Sequence, residues 1–305
     1  MAQKGISPEE KRFINEVIAP QLQKTSRIKI TFGWQNFMID YCIINNGQSA
    51  HFKGIIVLLQ GFGSGWRGIA MLGMHLAKLD YEVCMLSLPG CGNSSDPNHF
   101  IYHETDCFFC EETILARFVK EVLPDTEIHF VGHSMGAKII TDLACSNPDL
   151  VATLTLLAPA GFEKRNRWEV LAKFALNGLG HALAFRKNAV WTELEKVLPR
   201  EKSAFMKQRR SQRVVEWKKL CQGSDAKKIV RQIPEHISIN CIWGEKDSVF
   251  PMRKSSLTET SRARRYFEAV ELPLWHNMTM FGSHETAAAI DDLIHEHHER
   301  AKWCP

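Results

Sequence analysis

The stretch Glu127-Ile128-His129-Phe130-Val131-Gly132-His133-Ser134-Met135-Gly136-Ala137 decides the fold of this 305-residue chain. Glu127 to Val131 is short and rich in β-branched and aromatic residues, which predicts a buried strand. After the second glycine, Ala137, Ile140, Leu143 and Ala144 recur at helical spacing, and the pattern stops at Asn147-Pro148. A strand that turns into a helix through Gly-x-Ser-x-Gly is a nucleophile elbow. Its glycines leave room for a sharp turn, and its serine stands proud of the sheet. The bare pentapeptide says little, because Gly and Ser are common in loops. The strand–turn–helix setting makes Ser134 a candidate nucleophile.

Apolar strand-like runs alternate with helical ones on both sides of the elbow. Arg27 to Phe32 and Phe37 to Ile44 read as an opening antiparallel pair. Ile55 to Leu59, Glu82 to Leu86, Ile128 to Val131, Ala152 to Leu157, Ile237 to Trp243 and Tyr266 to Leu272 follow. Helices are expected near Trp66 to Leu79, Cys107 to Leu123, Ser134 to Cys145 and Ser283 to Trp303. Ser7-Pro8-Glu9-Glu10 reads as a capping box opening an ordinary amphipathic helix. This order predicts an α/β fold with a mostly parallel, doubly wound sheet. The alternation breaks between Glu163 and Ile233. That segment has no strand signal and reads as amphipathic helices separated near Gly178-Leu179-Gly180 and Gln222-Gly223.

Composition narrows the class. The apolar share of 45% and charged share of 24% are ordinary for a globular protein. No 18-residue apolar run argues for a spanning helix, so the chain is expected not to be transmembrane. Met1-Ala2-Gln3-Lys4-Gly5 lacks the apolar core of a secretory signal. Nine cysteines without a framework predict reduced thiols and a cytoplasmic location. The Glu163–Ile233 segment holds 18 Lys or Arg against 7 Asp or Glu. Its net of +11, in a chain of net +4, leaves −7 for the remainder. Either its helices have lysine-rich solvated faces or the segment docks something anionic. No nucleic-acid-binding motif accompanies the charge.

Two clusters suggest metals and fall short. Cys107-Phe108-Phe109-Cys110 with His103 lacks a second pair at ligand spacing and lies on a core-helix pattern. His295-Glu296-His297-His298 has Glu299 where a zincin needs its second histidine, so a solvated helix face is expected.

A serine hydroxyl becomes a useful nucleophile when a base takes its proton and a third group fixes the base's tautomer. Both partners follow Ser134 in the order Ser…Asp…His. Asp247 follows the strand ending at Trp243, in Trp243-Gly244-Glu245-Lys246-Asp247. His276 follows the strand ending at Leu272, in Leu274-Trp275-His276-Asn277-Met278. Strand ends are where ligands gather in an open α/β sheet. Glu245 is the fallback acid, His133 is expected to point elsewhere, and His284 reads as a cap or packing residue. The oxyanion needs two backbone N–H donors. Met135, at a helix N-terminus, supplies one; Phe62, in Gln60-Gly61-Phe62-Gly63-Ser64-Gly65-Trp66, is chosen for the other. That loop lacks the spacing of a phosphate cradle.

These residues resemble the α/β-hydrolase fold superfamily over nearly the whole chain. The resemblance rests on Gln60-Gly61-Phe62-Gly63, Leu88-Pro89-Gly90-Cys91-Gly92-Asn93-Ser94, the elbow, Gly244-x-x-Asp247 and His276. It implies nucleophile Ser134, acid Asp247, base His276, oxyanion donors Phe62 and Met135, and no metal or organic cofactor. It also implies that the insertion forms a helical cap. The chain then divides into a first core part (1–162), the cap (163–233) and a second core part (234–305). Gln60 stands where members usually have His, and Ser87 where many have Asp.

A serine at the elbow points to acyl transfer on a carboxylic ester, as in esterases and lipases. Thioester or carbon–carbon cleavage uses the same triad. A non-catalytic scaffold or small-molecule receptor is the alternative of another class. Trp168, Leu171, Phe174, Ala175, Leu179, Leu183 and Phe185 are an apolar set suited to an acyl pocket. With the +11 charge they predict a substrate with an apolar tail and an anionic head or carrier. A lysophospholipid at an anionic membrane surface and an acyl group on an acidic carrier protein both fit.

Overall fold

Side chains that alternate between two buried faces explain the sheet at the centre of the molecule. In the computed structural model, residues 6–32, 35–45, 51–94, 109–123, 127–185, 188–198, 216–218, 220–251, 264 and 266–302 are described. Eight strands run β1 (Ser26–Phe32), β2 (Gln35–Ile44), β3 (Gly54–Leu59), β4 (Tyr81–Leu86), β5 (Ile128–His133), β6 (Thr153–Leu157), β7 (Ser238–Gly244) and β8 (Phe267–Leu272). Their order is β1-β2-β4-β3-β5-β6-β7-β8. β2 is antiparallel to both its neighbours, and every other pairing is parallel. The expected mostly parallel, doubly wound α/β sheet is therefore what the chain forms.

Parallel strands covered on both faces are apolar throughout, as Ile55 to Leu59 shows. Ile55, Val57 and Leu59 enter one core, with Phe130, Leu154 and Leu156. Ile56 and Leu58 enter the other, with Val83 and Met85. Helix α1 (Ala70–Lys78) and the long C-terminal helix α7 (Ser283–Lys302) cover the second face, through Met74 and Ile290 among others. Helices α2 (Phe109–Val122) and α3 (Met135–Ser146) cover the first, through Phe118 and Ile140. Between β6 and β7 the described residues hold no strand and include α4 (Arg167–Phe185), α5 (Ala189–Val197) and α6 (Ala226–Gln232).

Three expectations need correction. α4 runs unbroken through Gly178 and Gly180, where a separation was expected. Each glycine costs a helix about 1 kcal/mol relative to alanine, a local cost that the alanines and leucines of the same helix, among the best helix formers, offset. Gly223, by contrast, does end a helical stretch: its φ is +69°, and a Cβ there would strike the backbone of Glu163. The N-terminal helix is capped as expected, with Glu10 N–H donating to Ser7 Oγ at 3.1 Å. It then widens into a π-helix over Phe13–Ile18 and returns to an α-helix over Ala19–Leu22, whose Pro20 has no N–H to donate to Glu16 four residues back. Lastly, His297 and His298 are half-buried rather than on a fully solvated face. The His298 ring packs edge-on to buried His129, with centroids 5.3 Å apart.

Cys107 and His103 lie outside the described residues, as does the Cys110 side chain. Among the described residues no group of three His, Cys, Asp or Glu could hold a metal ion. Nor is any described helix long and apolar enough to cross a membrane.

Candidate active site

Ser134 occupies a backbone conformation that side chains rarely adopt, φ 53° and ψ −113°. Its surroundings hold it there. Ser134 N–H donates to the Leu157 carbonyl at 2.8 Å, and Ala160 N–H donates to the Ser134 carbonyl at 3.2 Å. The turn is tight enough that both flanking glycines are required. A Cβ on Gly132 would lie 2.6 Å from the Gly136 carbonyl carbon, and one on Gly136 would lie 2.6 Å from the Gln60 carbonyl oxygen. Because those neighbours are backbone, Gly136→Ala is expected to lose about 1–3 kcal/mol of stability through overpacking. Urea denaturation with an intrinsic fluorescence readout measures that loss directly.

Two loops zipped together carry the other candidates. Glu245 N–H donates to Leu272 O at 2.8 Å and Lys246 N–H to Leu274 O at 3.0 Å, joining the loop after β7 to the loop after β8. Gly244 is where this approach is closest, since a Cβ there would strike the Leu274 carbonyl. His276 Nδ1–H then donates to Asp247 Oδ2 at 2.8 Å. The other oxygen, Asp247 Oδ1, accepts from Val249 N–H at 2.7 Å and Phe250 N–H at 2.9 Å. Burial alone would raise this carboxyl's pKa, but His276 and the two N–H donors outweigh it and hold the pKa below the usual carboxylate value. Glu245, the fallback acid, is exposed.

Asp247, His276 and Ser134 are all buried. Ser134 Oγ and His276 Nε2 have no hydrogen-bond partner, so the serine–histidine link is not closed in this structure. His133 does not point away from the site. Its Nε2–H donates to the His276 carbonyl at 2.8 Å, and its ring stands 5.0 Å from the His276 ring. Burial pushes the His133 pKa down to about 3, with His276 adding to the effect. His133 is thus a neutral brace behind His276, a role that strand–turn–helix spacing could not reveal. His284 packs edge-on against His75, with centroids 5.5 Å apart.

The Gly-rich loop after β3 runs against Ser134: a Cβ on Gly61 would lie 3.1 Å from Ser134 Cβ. Met135 opens α3, so its N–H is one of the helix-terminal donors without an intrahelical partner. Ser87 anchors the far end of the loop. Ser87 Oγ accepts from Trp66 N–H at 3.0 Å, while the Trp66 indole N–H donates to buried Asp40 Oδ2 at 2.9 Å. Ser94 Oγ closes the network, accepting from Asp40 N–H at 2.8 Å and donating to the Ser87 carbonyl at 2.7 Å. Ser87 and Asp40 together thus hold this turn. The Gln60 side-chain amide is buried with neither polar atom hydrogen-bonded.

Aromatic rings wall the space above the imidazole. Phe174 from α4 and Phe250 each stand 5.5 Å from the His276 ring. Trp217 lies 5.8 Å from Phe174 and 5.6 Å from Phe62. Of the apolar set expected to line an acyl pocket, Phe174 faces the site, whereas Trp168, Leu171 and Ala175 are exposed. Helical geometry separates them. At 100° per residue, Trp168 and Ala175 lie on the side opposite buried Val170. The side chains of Leu179, Leu183 and Phe185 are outside the described residues.

Residues 54–259 match the family model of the alpha/beta hydrolase fold. The chain belongs to the α/β-hydrolase family. A probable lysophospholipase of Arabidopsis thaliana, BODYGUARD 4, is 31% identical to this α/β-hydrolase over 43% of the chain and 30% of its own length. A pimeloyl-[acyl-carrier protein] methyl ester esterase of Aeromonas hydrophila is 32% identical over 42% of the chain and 47% of its own length. The matched part spans less than half of each of these relatives. A hydrolase from Pseudomonas aeruginosa PA01 shares the fold with a TM-score of 0.66 at 15% identity, over 89% of this chain and 98% of that one.

Proposed function

We propose that this α/β-hydrolase is a serine hydrolase that cleaves a carboxylic ester through an acyl-enzyme on Ser134. The observation that carries the reading is the 2.8 Å bond from His276 Nδ1–H to Asp247 Oδ2, beside a serine held at φ 53°. A base with Nδ1–H engaged leaves Nε2 as the acceptor, which is the atom that must take the serine proton. Ser134 Oγ attacks the ester carbonyl as His276 Nε2 accepts its proton. Asp247 orients the imidazole and stabilises its cationic form. The N–H groups of Met135 and Phe62 receive the developing oxyanion. The tetrahedral intermediate collapses as His276 protonates the departing alcohol. Water, activated by the same imidazole, then releases the acid and restores Ser134.

In this reading residues 163–233 form a cap between two core parts, 1–162 and 234–305, and Phe174 and Trp217 give it an apolar ceiling over the imidazole. That ceiling suits an acyl chain, and the +11 charge of the segment suits an anionic head. The names of the two curated relatives, a lysophospholipase and an esterase of an acyl-carrier protein, accord with such a substrate. A reducing, cytoplasmic setting fits the six free cysteines among the described residues.

Rates on p-nitrophenyl esters of increasing acyl length, and on matched esters with neutral and anionic heads, test the reading. We expect kcat/KM to rise with chain length. KM for the anionic ester should climb severalfold as the Debye length shrinks from ~30 Å at 0.01 M salt to ~8 Å at 0.15 M. A KM independent of salt for both esters rules out the anionic head, and no turnover of any ester rules out the ester-hydrolase reading.

A further inference from the structure

Helix α4 has two apolar faces, and the ester chemistry accounts for one of them. Its inner side carries Val170 into the core and Phe174 to the His276 ring. Trp168, Leu171, Ala172, Ala175 and Leu176 project outward along one stripe, and all are exposed. Trp168 retains 66% of its surface and Leu176 71%. Six large apolar side chains are exposed among the described residues. Three of them (Trp168, Leu171 and Leu176) lie on this helix, and a fourth, Trp275, is the immediate neighbour of His276. Singly exposed apolar residues are ordinary; a stripe on the element that roofs the site calls for an occupant.

Charge identifies the occupant. By sequence the stripe belongs to a segment of net +11 in a chain whose remainder is −7, so the segment attracts an anionic surface. Lys164 and Arg167 are exposed at the start of α4, with the Arg167 guanidinium 5.4 Å from the Trp168 ring centroid. Tryptophan and leucine on one side of a helix, with cations at its flank, match a membrane interface, where the rings enter the headgroup level and the cations meet anionic lipid. A soluble acidic carrier protein would use the cations but leave a solvent-facing stripe of this kind without a role.

We propose that the outer stripe of α4, with Trp275, docks the mouth of the active site on an anionic lipid bilayer. This rests on the ester-hydrolase reading for its purpose but not for its binding. Docking brings the helix that carries Phe174 against the lipid surface, so an acyl chain leaving the bilayer passes directly to the aromatic wall beside His276.

The test is co-sedimentation of the full chain with phosphatidylcholine vesicles, with and without phosphatidylglycerol. We expect binding to the phosphatidylglycerol vesicles only. Trp168→Glu combined with Leu176→Glu should weaken it about tenfold or more, since apolar burial is lost and charge attraction reduced. Both residues are exposed, so the variant is expected to fold and to hydrolyse a water-soluble short-chain ester at the parent rate. It should lose the same factor on an ester presented in the anionic vesicles. Ser134→Ala should sediment like the parent, which separates docking from chemistry. The proposal is overturned if the parent ignores anionic vesicles, if it binds neutral and anionic vesicles alike, or if the double variant binds as well as the parent. Binding to an acidic acyl-carrier protein with no vesicle binding would overturn it equally.

Discussion

Ser134→Ala is expected to lower ester turnover on the order of 10⁶-fold, the loss that follows removal of a triad nucleophile. It should leave the urea midpoint nearly unchanged. Ser134 Oγ makes no hydrogen bond in the folded chain, so alanine leaves no partner stranded. The backbone bonds to Leu157 and Ala160 that fix the turn do not involve the side chain. Alanine does meet the same positive φ as serine, so strain is retained rather than relieved. A large fall in kcat at unchanged stability is the signature of a chemical role; an equal fall in both would describe a residue needed only for folding. Kinetics and urea denaturation on the same preparation distinguish the two.

Asp247→Asn is the second large effect, on the order of 10⁴-fold in kcat. The carboxylate has two tasks, accepting from Val249 and Phe250 with one oxygen and from His276 with the other. An asparagine satisfies the first by turning its carbonyl toward the two N–H groups. Its NH₂ then faces His276 Nδ1 and can only donate. The imidazole must answer with an unprotonated Nδ1, which places its proton on Nε2 and removes the acceptor that Ser134 needs. Geometry survives while the tautomer inverts. Stability should therefore change far less than with Asp247→Ala, which leaves two buried N–H donors without a partner. The contrast in kcat and urea midpoint between the two variants is the check.

The placement of Ser134, Asp247 and His276 at strand ends was legible because a short apolar run fixes the sheet end at which its loop emerges. The sheet was legible for the same reason: Ile55 to Leu59 and Ile128 to Val131 can hardly be anything but buried strands. Contacts between segments far apart in the chain left no local sign. His133 meets the His276 carbonyl only because the loop after β8 folds back over β5. The Asp40, Trp66 and Ser87 network joins β2, the loop after β3 and the end of β4. Gly178 and Gly180 were misleading as helix breakers because a single glycine's cost is small beside the summed preference of a 19-residue helix. Periodicity likewise marked the apolar residues of α4 without saying that Phe174 turns inward and Trp168 outward.

If the proposed mechanism holds, Ser134 is the residue acylated in turnover. Reaction of the purified chain with a fluorophosphonate, followed by intact and peptide mass spectrometry, tests it most directly. A single adduct is expected on the peptide bearing Ser134, abolished by Ser134→Ala and greatly slowed by Asp247→Asn. An adduct confined to another residue, together with undiminished ester turnover by Ser134→Ala, would contradict it.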